Sequence, residues 1–459
     1  MAGVASIGKY EYELTRSSMP SHCPLGGCVM HHQSPGDDCV DSLDLKRRHS
    51  RSIIKISLLK ILHLAGPATH NLRNNSRNNS RNNTTTFYYV VHISFFSANT
   101  RRLIMDTVLD ACVISCSKSN EILPPRPTKN RCYRLLRRPK GKVTKDDLVL
   151  CEEEIPPLEE GQVLAQNLVL SIDPTHRIWM SDRPQYMPCV DLGDVMRAIS
   201  MTKIVESRHP DFAVGDVVSA LGNVQEYFTG TPEQYMLTKL PDSSTRNLSV
   251  CSVLMGLTAW HGATKILQAG PDDVVVVSGA AGAVGSIAAQ LCKVRGAKVI
   301  GIAGGPDKCK YLTDELLLNG AIDYKSDDVD VKLKEFAPDG FTGYFDNVGG
   351  TVTEAVLNNM RNFSKMALCG SISEYNDKFV GITNFNMILM RRIQVQGFVC
   401  TDHMDEYPEC LAELTDLVKQ GKLKYREHVD QGLENYVDVL NLLFEGKNTG
   451  KLMLRVAAD

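Results

Sequence analysis

The sequence predicts an α/β protein in which a β-rich first lobe precedes a doubly wound parallel sheet. Two observations carry this reading. After about residue 251, short apolar runs alternate with amphipathic helical patterns, the rhythm of right-handed βαβ crossovers. Between residues 129 and 250, short alternating strands are punctuated by Pro and Gly turns. A length of 459 residues implies two or three domains, and 43% hydrophobic with 23% charged residues is ordinary for globular chains.

The elements follow in order. Residues 1–125 mix Cys, His, Ser and Arg without a sustained period and carry an Asn-Asn-Ser-Arg repeat. They bury too little apolar surface to offset chain entropy, so they are expected to be disordered or a non-native extension. Their basic residues suit a transit peptide, but Glu11, Asp37, Asp38, Asp41 and Asp44 oppose that reading, and Met105 offers an alternative start. His22, Cys23, Cys28, His31 and His32 lack the second ligand pair of a zinc module, and no metal is assigned to them. Strands are predicted at 148–151, 163–172, 203–205 and 216–218. The second region has strands at 274–277, 298–303, 321–324, 343–347 and 365–369, separated by helices at 284–295, 308–318, 329–336 and 353–360. A strand at 394–400, two amphipathic helices and a last strand at 451–456 complete the chain, the tail returning to the first lobe.

A formal net charge of −2 leaves no electrostatic footprint for nucleic acid or an anionic membrane. No apolar run reaches the roughly 20 residues that span a bilayer; residues 53–64 are broken by Lys55, Lys60 and His63. Small molecules are the expected partners. The 14 cysteines are scattered, several in apolar stretches, which suits a reducing, cytoplasmic setting.

The chemistry concentrates after the first strand of the second region. There Ser278-Gly279-Ala280-Ala281-Gly282-Ala283-Val284-Gly285 turns a Val-rich strand into a helix, leaving N–H groups at the helix start for a pyrophosphate. The next strand ends in Ala303-Gly304-Gly305-Pro306-Asp307-Lys308, without the carboxylate that holds a ribose 2′-hydroxyl. Lys308 can reach a 2′-phosphate, so NADP(H) is expected over NAD, with Asp307 the one nearby carboxylate.

Several strings together resemble a known family. Ser171-Ile172-Asp173-Pro174, Gly256-Leu257-Thr258-Ala259-Trp260, the 278–285 turn, Tyr324-Lys325, Phe345-Asp346-Asn347-Val348-Gly349-Gly350, Cys369-Gly370-Ser371-Ile372-Ser373-Glu374-Tyr375-Asn376 and Gly446-Lys447-Asn448-Thr449-Gly450-Lys451 look like the prostaglandin reductase and alkenal double-bond reductase branch of the medium-chain dehydrogenase/reductases. The resemblance spans 126–459. It implies a GroES-like catalytic domain at 126–250, a Rossmann domain at 251–400 and a return to the catalytic domain at 401–459. It also implies NADPH-dependent reduction of the conjugated C=C bond of enones and alkenals, 15-oxoprostaglandins among them, by a monomer or homodimer. Under it, Gly282, Ala283, Val284 and Gly285 cradle the pyrophosphate and Lys308 the 2′-phosphate. Tyr324, Asn347, Cys369, Gly370, Ser371, Ile372, Ser373, Glu374, Tyr375 and Asn448 line the cofactor, and Ala220, Leu221, Phe398, Val399 and Cys400 the substrate.

Zinc-dependent relatives carry a Gly-His-Glu string and a four-cysteine lobe. Neither occurs in 126–250, where Cys132, Cys151 and Cys189 are widely spread, so metal-free chemistry is expected. Hydride arriving at the β-carbon leaves charge on the carbonyl oxygen, and Tyr375 is the expected donor to it. Two departures from the family bear on the cleft: side chains at 196–202 where relatives carry glycine, and Ala220-Leu221 where they carry aromatics. A quinone reductase, or a noncatalytic NADPH-binding protein of crystallin type, are the competing readings.

Overall fold

Alternating burial shapes the first strands. β1 (Lys129–Leu135) and β2 (Leu148–Glu154) pair antiparallel, Tyr133, Leu135 and Leu148 turning into a core with Ile172, Trp179 and Met196. The computed structural model describes residues 126–240, 252–376 and 381–457, all within the unit Ile122–Asp459. The readings made on residues 1–125, and the domain boundary near 250, lie outside the described residues. β3 (Val163–Ser171) is buried on both faces and forms the hub of the first lobe. It pairs antiparallel with β4 (Ser200–Ser207) and β6 (Tyr227–Gly230), and β5 (Val217–Ala220) and β7 (Thr238–Lys239) extend the sheet beyond β4.

The second sheet is all parallel. β8 (Val274–Ser278), β9 (Lys298–Ala303), β10 (Gly320–Asp323), β11 (Phe341–Asp346), β12 (Met360–Leu368) and β13 (Gln394–Gly397) lie in the order β10-β9-β8-β11-β12-β13. The direction of winding reverses between β8 and β11, which opens a crevice at their carboxyl ends. Helices Ala283–Val294, Pro306–Lys310, Val329–Phe336 and Gly350–Asn359 make the crossovers. Their small and aliphatic faces pack on both sides of the Val-rich strands.

The helix predicted at 308–318 begins earlier, at Pro306, after Gly305 reverses the backbone at φ 100°. It then loosens into a π-helical turn, Tyr311–Glu315. A helical stretch assembled from Val253–Leu257, Thr258–His261 and Gly262–Leu267 was not predicted. The strand predicted at 394–400 stops at Gly397, and Cys400–Glu406 forms short helical turns instead.

Helices Tyr407–Lys419 and Tyr436–Glu445 follow, with β14 (Glu427–Gln431) between them and β15 (Lys451–Arg455) after them. β15 pairs antiparallel with β3, giving the sheet order β14-β15-β3-β4-β5-β7 with β6 also on β3. The C-terminal segment thereby supplies an edge strand, β14, and an interior strand, β15, to the first sheet. No helix among the described residues is long and apolar enough to cross a membrane.

Candidate active site

The 278–285 turn sits at the crevice between β8 and β11. Gly279 takes φ 60°, and Gly282 caps helix Ala283–Val294 with extended backbone. The first intrahelical bond runs from Ser286 N–H to the Gly282 carbonyl at 3.0 Å, so the N–H groups of Ala283, Val284 and Gly285 precede it. A Cβ on Gly285 would lie 2.3 Å from the Gly279 carbonyl oxygen, so no side chain fits there without moving backbone. This close helix-to-turn packing and the N–H groups at the helix start suit a bound pyrophosphate.

The neighbouring strand ends are locked by a buried carboxylate. Asp346 accepts from Ser278 Oγ (2.9 Å), Tyr344 Oη (2.8 Å), Thr353 Oγ1 (2.5 Å) and the N–H groups of Val348 (2.9 Å) and Gly349 (3.1 Å). Asn347 donates through Nδ2 to the Ser278 carbonyl at 2.7 Å. Asp346 thus fixes the spacing of β8 and β11 where the crevice opens. Nothing in the Phe345-to-Gly350 string marks Asp346 for this role, because Ser278, Tyr344 and Thr353 lie outside it and Gly349 meets Asp346 only once the turn is folded.

At the tip of β9, Lys308 Nζ donates to the Gly446 carbonyl at 2.9 Å. Burial, and then nearby Lys325, lower the Lys308 pKa. Two cations held this close, beside the phenol of Tyr324, make a place for an anion. Asp323 is engaged by the N–H groups of Gly305 (2.7 Å) and Lys325 (3.1 Å), and Asp307 does not line the cleft. The donor set therefore fits a 2′-phosphate better than a free 2′-hydroxyl.

Tyr375 is placed by its own loop. Cys369 and Gly370 donate backbone N–H to the Asp346 carbonyl (2.9 and 3.1 Å), and Ser373 Oγ donates to the Val348 carbonyl (2.6 Å). The loop then folds back so that Tyr375 Oη accepts from Ser371 N–H at 3.1 Å. Gly370 makes room: a Cβ there would stand 2.8 Å from the phenol oxygen. Burial pushes the Tyr375 hydroxyl up to about 12, so it keeps its proton at neutral pH.

A cleft of about 790 Å³ joins these features. Gly282, Ala283, Val284, Gly285, Lys308, Tyr324, Asn347, Cys369, Gly370, Ile372, Ser373, Tyr375 and Asn448 all line it, as do Phe398, Val399 and Cys400. Four predicted residues do not. Ser371 and Glu374 lie off the lining, Ser371 contributing its N–H to Tyr375. Ala220 is buried at the end of β5 against Val163, Ile204 and Phe228, and Leu221 N–H bonds the Tyr235 carbonyl. The 196–202 stretch is likewise structural: Met196 and Ala198 fill the first-lobe core, and 200–202 open β4.

Sequence reasoning also passed over the wall facing this crevice. Asp173 and Lys451 line the cleft as a buried ion pair at 2.7 Å, Lys451 also donating to the Ile172 carbonyl at 3.0 Å. Separating such a pair leaves an uncompensated buried charge, typically at a cost of about 3–5 kcal/mol. It fastens β15 to the end of β3. Beside it, Gly450 N–H donates to the Ala281 carbonyl at 3.1 Å, so the same segment touches the glycine turn. The polar residues of Ser171-Ile172-Asp173-Pro174 and Gly450-Lys451 stand out against an apolar strand pattern, but nothing local in the sequence joins them into a pair.

Residues 131–238 match the family model described as the N-terminal domain of oxidoreductase, and residues 283–416 match the one described as zinc-binding dehydrogenase. The chain is 35% identical over 341 residues to the NADPH-dependent curcumin reductase of Escherichia coli, covering 72% of this chain and 98% of that protein. It is 34% identical to prostaglandin reductase 1 of Oryctolagus cuniculus, over 68% of this chain and 89% of the relative. The crystal structure of CurA in complex with NADPH from Vibrio vulnificus superposes with a TM-score of 0.68 at 35% identity, covering 72% of this chain and all of that one. This chain belongs to the medium-chain dehydrogenase/reductase superfamily, in the branch of the prostaglandin and alkenal reductases.

Proposed function

We propose that the chain is an NADPH-dependent reductase of the conjugated C=C bond of α,β-unsaturated ketones and aldehydes, with 15-oxoprostaglandins and reactive alkenals as substrate types. The observation that carries this reading is the Tyr375 hydroxyl, fixed by the Ser371 N–H, in one cleft with the Gly282–Gly285 turn and Lys308. In this reading residues 251–400 form the Rossmann domain that holds the cofactor and also contributes Tyr375 and the 398–400 wall to the substrate, while 126–250 and 401–459 form the catalytic domain.

Ala283, Val284 and Gly285 would hold the pyrophosphate through backbone N–H groups, and Lys308 with Tyr324 the 2′-phosphate. When bound, NADPH supplies the hydride. Asn347 and the 369–375 loop shape the adjoining part of the cleft. Tyr375 Oη, fixed by Ser371 N–H, keeps its own hydrogen to donate to the substrate's carbonyl oxygen. That bond strengthens as negative charge develops on the oxygen, so it favours the transition state over the ground state. Phe398, Val399 and Cys400 give the substrate an apolar wall, and the α-carbon takes its proton from solvent.

Turnover of NADPH with 15-oxoprostaglandin, a short alkenal and a quinone tests this reading. Oxidation with the enone or the alkenal is expected. Reaction with quinones alone would assign a quinone reductase, and NADPH binding without any turnover a noncatalytic protein.

The free edge of the parallel sheet supports a homodimer. β13 is exposed along its whole length, beside Phe385, Leu389 and Met390, which are also exposed. An uncovered edge strand with apolar neighbours invites pairing with a second copy. Light scattering is expected to give twice the chain mass, and Val395→Lys to halve it; a monomer would refute this. Cys132, Cys292 and Cys400, buried without a disulfide, support a cytoplasmic setting.

A further inference from the structure

Outside the lining of the cleft, three side chains with lone pairs converge from two elements. His261 ends helix Thr258–His261, while His403 and Glu406 belong to the Cys400–Glu406 segment. The helical course of that segment breaks at His403, with φ −128° and ψ 30°. The break brings His403 onto His261, the two imidazoles stacking at 3.6 Å between centroids. His261 Nδ1 lies 2.7 Å from Glu406 Oε2, and His403 Nδ1 lies 4.0 Å from Glu406 Oε1. One ligand atom from each residue falls within 4.8 Å of the other two, the only such trio of His, Cys, Asp or Glu among the described residues.

A lone His–Glu hydrogen bond explains the 2.7 Å contact and leaves the second imidazole out of hydrogen-bond reach of the carboxylate. A shared cation accounts for all three donors. Two imidazoles and one carboxylate form a three-ligand zinc set with bonds of about 2.0–2.2 Å, which places tetrahedral donors roughly 3.3 Å apart. The observed separations bracket that value. Binding would require His403 to turn out of the stack about its soft terminal torsion. His261 is buried, whereas His403 and Glu406 are partly exposed, so an ion can enter and a water can take the fourth position.

We propose that His261, His403 and Glu406 form a zinc site with three protein ligands and one solvent position. The site lies just behind the cleft wall: Thr258 and Cys400, at the other ends of the same two elements, line the cleft, and Phe398 packs against His261 at 5.5 Å. A bound ion cross-links these elements. The inference is independent of the reduction chemistry.

The test uses the full chain stripped of metal, titrated with Zn²⁺ against a chromophoric chelator, beside His403→Ala and Glu406→Gln with folding checked by circular dichroism. The wild type is expected to bind one more Zn²⁺ than either variant, or the same ion at least tenfold more tightly. The Co²⁺ difference spectrum between wild type and variant should lack sulfur-to-metal charge transfer, which separates this site from any cysteine site. Zn²⁺ should raise the thermal midpoint of the wild type more than that of the variants. Equal zinc stoichiometry and affinity in the wild type and both folded variants would overturn the proposal, as would a difference spectrum carrying thiolate bands.

Discussion

Lys308→Ala is expected to raise the KM for NADPH by about 10- to 100-fold while leaving that for NADH nearly unchanged. A hydrogen bond to a charged group contributes about 1.5–3 kcal/mol, and every 1.4 kcal/mol is about tenfold in affinity. In the structure Lys308 Nζ is held by the Gly446 carbonyl beside Lys325, and burial lowers its pKa. A dianionic phosphate reverses that penalty, because it favours the charged amine. NADH brings no such group, so it neither gains from the lysine nor loses with it. Lys325 remains in the variant, which sets a floor on the preference. Steady-state kinetics with both cofactors decide the matter: equal losses for NADPH and NADH would remove the phosphate role from Lys308.

Tyr375→Phe is expected to lower kcat for enones by on the order of 100-fold, the usual cost of losing one donor to a developing oxyanion. The KM for NADPH should change little, since the ring still fills its place under Gly370 and only the hydroxyl is lost. The pH profile gives a second check. Burial raises the phenol from the usual value of about 10 to about 12. A raised acid stays protonated to higher pH, so the donor persists through the neutral and mildly alkaline range, and no activity limb near pH 10 should belong to it. A phenylalanine variant that keeps full kcat would exclude Tyr375 as the donor, whereas a wild-type limb near pH 10 that disappears in the variant would refute only the upward shift of its phenol.

The sequence carried the second sheet further than the first. Strand 298–303 and helix 329–336 coincide with the observed elements because each has one unambiguous period and a clear stop, Gly304 after the strand and Pro338 beyond the helix. Val253–Leu267 escaped notice since its apolar residues surround the axis and its turns widen to π geometry, which blurs a 3.6-residue period. β14 reads Glu-His-Val-Asp-Gln, a polar edge strand recognisable only once β15 lies beside it. The glycine turn, Lys308 and the Tyr375 loop were legible because each uses residues whose chemistry is local. The Asp173–Lys451 pair was not, for its members stand 278 positions apart and meet only through the return of the tail. Ala220 and Leu221 misled for the opposite reason: small and aliphatic residues look alike in a cleft wall and in a core, and here they serve a core and a backbone bond.

The interior position of β15 also sets a timetable for synthesis. The six strands of the parallel sheet are complete once residue 397 has left the ribosome, and every pairing within that sheet is available from then on. β3 emerges far earlier but must wait for 451–455 before its β15 edge is covered. Contacts of such long sequence separation form slowly, and unpaired strand edges favour aggregation while they wait. The nascent chain thus passes through a stage with a finished cofactor sheet and an unsealed first lobe. Sealing of that β3 edge is therefore among the last events of folding, because it waits on the final strand.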